Sequence, residues 1–146
     1  YEVCRDECYS AYKGGGARLN GTPIHVTDID TMDRAQILLG FPYDSERFRP
    51  VILKAIEQMY GTVGAERLLG SAAVELCYVA AGRAEGRIEG LLGPWDVAAG
   101  CLIIAEAGGR VTDFSGGDTY LGGREVLASN NRIHDHLLEI MSKAIH

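Results

Sequence analysis

Two carboxylates, Glu89 and Asp96, flank the segment Gly90-Leu91-Leu92-Gly93-Pro94-Trp95. Pro94 suits the first position of a helix, where its missing N–H loses no partner. Gly108 and Gly109 suit the stop of that helix. Asp96 therefore falls in the first turn, where the helix dipole favours negative charge. Glu89 closes the short strand pattern Arg87-Ile88-Glu89. Strand end, loop and helix start bring both carboxylates to one crevice at the carboxyl edge of a sheet, where open α/β folds hold their ligands. The same residues also suit plainer roles, a first-turn charge and a solvated loop charge. A second corner, Gly70-Ser71-Ala72, opens a helix running to about Ala81 with Ser71 as its expected N-cap. Its free N–H groups suit an anion or a polyol hydroxyl, or simply cap a core helix.

A longer pattern surrounds Asp96. Trp95-Asp96-x-Ala98-Ala99-Gly100, followed by Glu106-Ala107-Gly108-Gly109-x-Val111-Thr112-Asp113, resembles the second signature of the inositol monophosphatase family. That family contains Mg²⁺-dependent, typically lithium-sensitive phosphomonoesterases. The segment Ser10 to Gly21 is similar to the strand pair that closes the family's amino-terminal domain. The resemblance implies that Asp96 binds metal and that Glu89 accepts a hydrogen bond from a substrate hydroxyl. It also implies that Gly70, Ser71 and Ala72 meet the substrate through backbone groups. Arg67 would lie near the substrate or a subunit contact.

Mg²⁺ takes hard oxygen ligands in octahedral geometry, and one carboxylate cannot build such a site. The family's other ligands come from an amino-terminal Glu and an Asp-Pro-x-Asp-Gly-Thr segment. Neither is found here; Asp28-Ile29-Asp30-Thr31 lacks the proline and the glycine and reads as a linker. The resemblance spans nearly the whole chain but only the carboxy-terminal part of the enzyme. No catalytic set is therefore expected to be complete in this chain, and the chain alone is expected to be inactive. Activity would need the missing amino-terminal part, and the complete enzyme is expected to be a homodimer. The start at Tyr1, in mid-strand pattern, fits the same expectation.

The elements that must position these residues follow from pattern. Residues 1–26 read as strands left from an amino-terminal domain sheet, with Tyr1, Val3, Tyr9 and Tyr12 as strand formers, Lys13 to Gly16 as a turn and Asn20-Gly21 as a hairpin turn. A phosphate cradle in the Gly14-Gly15-Gly16 run is the less favoured reading. Residues 27–146 alternate strand and helix. Ala35 to Phe41 suits a strand covered on both faces. Ser45 is the expected N-cap of a helix to about Met59, with Phe48, Ile52, Ala55, Ile56 and Met59 on its apolar face. Leu68 and Leu69 end the next extended segment. The helix from Pro94 is apolar almost all round, which marks one covered on most sides. Strands are expected at Arg110 to Phe114 and Val126 to Ser129. A final helix to about Ile145 would bury Ile133, Leu137, Leu138, Ile140, Met141 and Ala144, with His134 and His136 exposed at its start. The expected fold is α/β: a mixed sheet sandwiched between helices, as in the carboxy-terminal domain of the inositol monophosphatase/fructose-1,6-bisphosphatase-like fold.

The chain has 146 residues, 47 % hydrophobic and 23 % charged, enough for one domain-sized core. A net charge of −6 lends no support to nucleic-acid or acidic-membrane binding. No apolar run approaches membrane-spanning length, and the first residues do not read as a signal peptide. Cys4, Cys8, Cys77 and Cys101 form no metal-binding pair, and Cys77 and Cys101 read as small hydrophobes. A reduced, cytoplasmic protein is expected. Its substrate would be inositol monophosphate or a similar small polyol phosphate. The alternatives are relatives' substrates (fructose 1,6-bisphosphate, histidinol phosphate, a nucleotide 3′-phosphate) or a non-catalytic binding and assembly module.

Overall fold

Ile37, Leu38 and Leu39 are buried in succession, so the strand that carries them is covered on both faces. The computed structural model describes residues 1–42 and 46–146. In chain order, β1 (Tyr9–Ala11), β2 (Ala17–Leu19) and β3 (Thr22–Ile24) form a three-stranded antiparallel sheet. Then follow β4 (Gln36–Leu39), α1 (Phe48–Met59), β5 (Ala65–Arg67), α2 (Ala72–Ala80), β6 (Gly86–Gly90), α3 (Pro94–Glu106), β7 (Arg110–Thr112), a short α4 (Tyr120–Gly123), β8 (Glu125–Ser129) and α5 (His134–Ile145). These strands make a five-stranded sheet in the order β5-β4-β6-β8-β7. The first three run parallel, while β8 is antiparallel to both β6 and β7.

Side chains alternate between the two faces of each strand, which sorts the core into two layers. Ile37, Leu39, Ile88 and Leu127 meet Phe48, Ile52 and Met59 of α1 and Leu137 and Met141 of α5. On the other face Leu38, Val126 and Ala128 meet Leu76 and Val79 of α2 and Val97 and Ile104 of α3. Each such side chain, fully buried, contributes about 1.5–3 kcal/mol of transfer free energy. The mixed sheet between helices is thus the architecture the pattern predicts. The small sheet packs on the α2–α3 layer through Tyr9, Ala11, Ala17 and Ile24. Its Gly14 and Gly16 N–H groups donate to the Glu106 carboxylate at 2.8 and 2.9 Å. The glycine run does hold an anion, and the anion is the chain's own.

Several local expectations are corrected. Tyr1 and Val3 are exposed, and among the described residues the chain before β1 forms no strand, only the isolated β-bridge Glu2–Glu7. β5 ends at Arg67, leaving Leu68 and Leu69 half exposed in the following loop. Helix α3 is covered on one side only: Trp95, Ala98, Ala99, Leu102 and Ala105, spaced as one helical stripe, face outward. Nothing among the described residues packs on that side, so an apolar composition did not mean an all-round cover. His134 is fully buried, because β7 and β8 bring Thr112 and Ser129 to its two ring nitrogens at 3.0 and 2.8 Å. His136 is exposed as expected. Cys101 is buried and Cys77 half-buried, and burial pushes both thiols up, to about 12 and about 11. The expected Ser45 cap lies outside the described residues.

Candidate functional site

Because β4, β5 and β6 are parallel, their carboxyl ends and the starts of α2 and α3 share one edge of the sheet. Glu89 sits there near the end of β6. Ile88 points into the α1–α5 layer, so Arg87 and Glu89 share the opposite face. The Glu89 carboxylate lies directly over Gly40, whose N–H continues the β4–β6 pairing to the Ile88 carbonyl at 3.1 Å. A methyl group on residue 40 would overlap that carboxylate, so a larger residue there must displace the Glu89 side chain.

Arg87 is the charged centre of this face, with only 1 % of its side chain exposed. Its Nη2 donates to Glu89 and also lies 2.8 Å from Glu75 Oε2 in α2. Glu75 is equally buried, and its Oε1 accepts the N–H groups of Leu69 and Gly70 at 2.8 and 3.1 Å. Ser71 does occupy the N-cap position of α2, but its hydroxyl makes no capping bond; the Glu75 carboxylate organises the corner instead. Burial raises the pKa of Glu89 above the ordinary carboxylate value. Arg87 opposes that shift, while the charges of Glu75 and Asp96 add to it. Sequence reasoning passed over Glu75 and Arg87. The period-two spacing of Arg87 and Glu89 was the available signal that a guanidinium shares the face of the carboxylate.

Glu89, Arg87, Glu75, Gly70, Ala72, Leu39 and Gly40 line a cleft of about 240 Å³. Asp96 occupies the third position of α3, where its Oδ2 accepts the Gly93 N–H at 2.8 Å. It lines a neighbouring cleft of about 490 Å³ with Gly93, Pro94, Trp95, Leu121 and Arg124. Glu89 thus shares a cleft with Gly70 and Ala72 of the corner, while Asp96 lines another, and its charge still acts on Glu89. Neither cleft includes Ser71 or Arg67; Arg67 is exposed and donates to the Glu66 carbonyl at 2.8 Å.

A larger cleft of about 650 Å³ lies between α1 and the β7–α4 connection, where Asp113 is the buried carboxylate. Burial works against its charge, but Thr119 and the N–H groups of Gly117 and Ser115 hold its pKa below the usual value. Those bonds, at 2.6, 2.8 and 2.9 Å, use both oxygens to build a turn, so this carboxylate is committed to structure.

Residues 1–146 match the inositol monophosphatase family. The chain belongs to that family. Among its family relatives, the chloroplastic phosphatase IMPL1 of Arabidopsis thaliana is 42 % identical over 136 residues, covering 93 % of this chain and 37 % of that protein. The Nus factor SuhB of Escherichia coli strain K12 is 36 % identical over 141 residues, covering 97 % and 53 %. The crystal structure of the extragenic suppressor protein suhB from Bartonella henselae superposes with a TM-score of 0.93 at 34 % identity, over 98 % of this chain and 55 % of that one. The inositol monophosphatase of Anabaena gives 0.91 at 32 % identity, over 98 % and 57 %. The chain thus spans between about a third and somewhat over half the length of these relatives. Among the described residues no helix is long and apolar enough to cross a membrane. Likewise, no group of three or more His, Cys, Asp or Glu among them is placed to hold a metal ion.

Proposed function

We propose that this chain is the carboxy-terminal part of a Mg²⁺-dependent phosphomonoesterase. Its substrate is inositol monophosphate or a similar small phosphorylated polyol. The observation that carries the reading is the cleft at the carboxyl edge, where Glu89 and the Gly70–Ala72 corner converge beside the Asp96-capped start of α3. Glu89 accepts a hydrogen bond from a substrate hydroxyl, and the corner contributes backbone groups. Residues 1–26 are then the closing strands of the amino-terminal domain and residues 27–146 the carboxy-terminal domain. The outward apolar stripe of α3 supports this division, since a further part of the protein would cover it. The exposed Arg67 suits a contact between subunits of a homodimer.

Asp96 fits one position of a magnesium site. It is a hard oxygen donor, partly exposed, and only its Oδ2 is bonded within the described residues. A single carboxylate does not complete the octahedron, so the other ligands belong to the amino-terminal part. Bound Mg²⁺ supplies charge neutralisation for the phosphate and activation of the attacking water. This chain's own contribution is to hold one ligand at a helix start and to orient the polyol.

The test is Mg²⁺-dependent phosphate release from inositol 1-phosphate, by this chain alone and by the complete protein. Turnover only by the complete protein is expected. A complete protein that releases phosphate from no polyol phosphate would favour a second reading, a binding and assembly module. That reading draws on relatives named as Nus factors.

A further inference from the structure

One nitrogen of Arg87 holds two carboxylates that come from different elements: Glu89 from β6 and Glu75 from α2. Glu75 in turn fixes the Leu69 and Gly70 N–H groups. An unbroken chain of charge-assisted contacts therefore runs from the cleft-lining carboxylate to the corner on the cleft's other wall. Arg87 Nε and Nη1 are buried with no hydrogen-bond partner among the described residues. Among the described residues the guanidinium is thus held by its two carboxylates alone. A side chain this buried and this sparsely bonded is a poor way to gain stability, because desolvating three charges costs what their attraction returns. Its geometry instead fixes a spacing.

We propose that Arg87 is a positioning residue that locks Glu89 and the Leu69–Gly70 corner at one separation and so sets selectivity for the polyol part of the substrate. The proposal rests on the reading of Glu89 and the corner as the polyol-binding walls. A lysine does not replace it, since a buried ammonium gives up its proton readily, whereas the guanidinium stays charged between its two carboxylates. Glu89 stays over Gly40 because the guanidinium draws it there.

The test uses the complete enzyme and compares inositol 1-phosphate with phenyl phosphate, whose leaving group has no aliphatic hydroxyls. Arg87→Met alone leaves two buried carboxylates facing one another and risks unfolding. The decisive variant is therefore Arg87→Met combined with Glu75→Gln, which removes both charges while the amide oxygen keeps the Leu69 and Gly70 N–H groups bonded. It is expected to fold, by circular dichroism and thermal melting, and to raise KM for inositol 1-phosphate about tenfold, the scale of one charged hydrogen bond. The preference for inositol 1-phosphate over phenyl phosphate, as a ratio of kcat/KM, falls by the same factor. Arg87→Lys is expected to recover only part of that preference. Glu89→Ala serves as the reference. If it loses the preference while the double variant keeps it, Arg87 does not position the site and the proposal is overturned. If Glu89→Ala itself keeps the preference, the reading of Glu89 as a polyol contact fails and the proposal fails with it.

Discussion

Glu106, in the last turn of α3, accepts the Gly14 N–H at 2.8 Å from 92 residues away in sequence. Its other oxygen takes the Gly16 N–H, so one carboxylate moors the three-stranded sheet to the α2–α3 layer. Those two N–H groups hold its pKa below the ordinary carboxylate value. A depressed folded pKa contributes stability above the unfolded value and loses it as pH falls through the folded one. Glu106→Ala is expected to speed amide exchange in β1 and β2 severalfold at neutral pH, with α2 and α3 unchanged. In the parent protein the same loosening should appear only in acid, below the usual carboxylate range. Hydrogen exchange followed by mass spectrometry reads both effects, and equal protection in the variant would refute the mooring role.

His134 is buried as the neutral ring between Thr112 and Ser129, and its pKa falls from 6.5 to about 4 through burial, with the Arg110 charge adding to the shift. Between these two values the unfolded chain binds the extra proton and the folded chain does not. Stability therefore rises with pH from about 4 to about 6.5 and is lost on the way down. Chemical denaturation across that window should show a slope that His134→Ala abolishes. The variant itself should lose about 2–4 kcal/mol at pH 7, from the cavity and from two stranded hydroxyls. An unchanged slope would mean that another group titrates.

What could be read from sequence alone follows the range of the forces involved. The ends of α3 were legible because Pro94 and Gly108 act locally, and the stripe of α5 because Ile133, Leu137, Met141 and Ala144 share a helical face. His134 was misplaced because its burial is decided by β7 and β8, not by its neighbours in sequence. The glycine run at Gly14 to Gly16 had an anion-binding shape, but only the fold could say that Glu106 fills it. Glu89 and the corner were named from sequence, and Glu89, Gly70 and Ala72 line one cleft. The Arg87–Glu75 pair between them was not found, because it joins a strand to a helix whose packing no local pattern states. Ser71 stood where a cap belongs, yet the carboxylate of Glu75, one turn further on, took the corner's N–H groups.

Gly40 gives a charge-neutral way to move Glu89. A methyl group there would overlap the carboxylate while Arg87, Glu75 and the corner keep their chemistry. In the complete enzyme Gly40→Ala is expected to raise KM for inositol 1-phosphate about tenfold, as one charged hydrogen bond to substrate is misplaced. Stability should fall by about 1–3 kcal/mol, the usual cost of overpacking. Steady-state kinetics with a urea denaturation curve separates the two effects. An unchanged KM in a folded variant would show that the position of Glu89 does not matter to binding.

Asp96 has two jobs that a single atom change separates. Its Oδ2 caps the start of α3 by accepting the Gly93 N–H, and an asparagine carbonyl accepts the same bond. What asparagine lacks is the charge. Asp96→Asn is therefore expected to shift stability by no more than about 1 kcal/mol, the scale of a helix-dipole charge. In the complete enzyme it should lower kcat for polyol phosphate hydrolysis by about two orders of magnitude, comparable with losing one preorganised charge-stabilising group. Raising Mg²⁺ should recover part of the loss if the remaining ligands still hold the ion. A folded Asp96→Asn enzyme with normal turnover would leave Asp96 as a helix cap and nothing more.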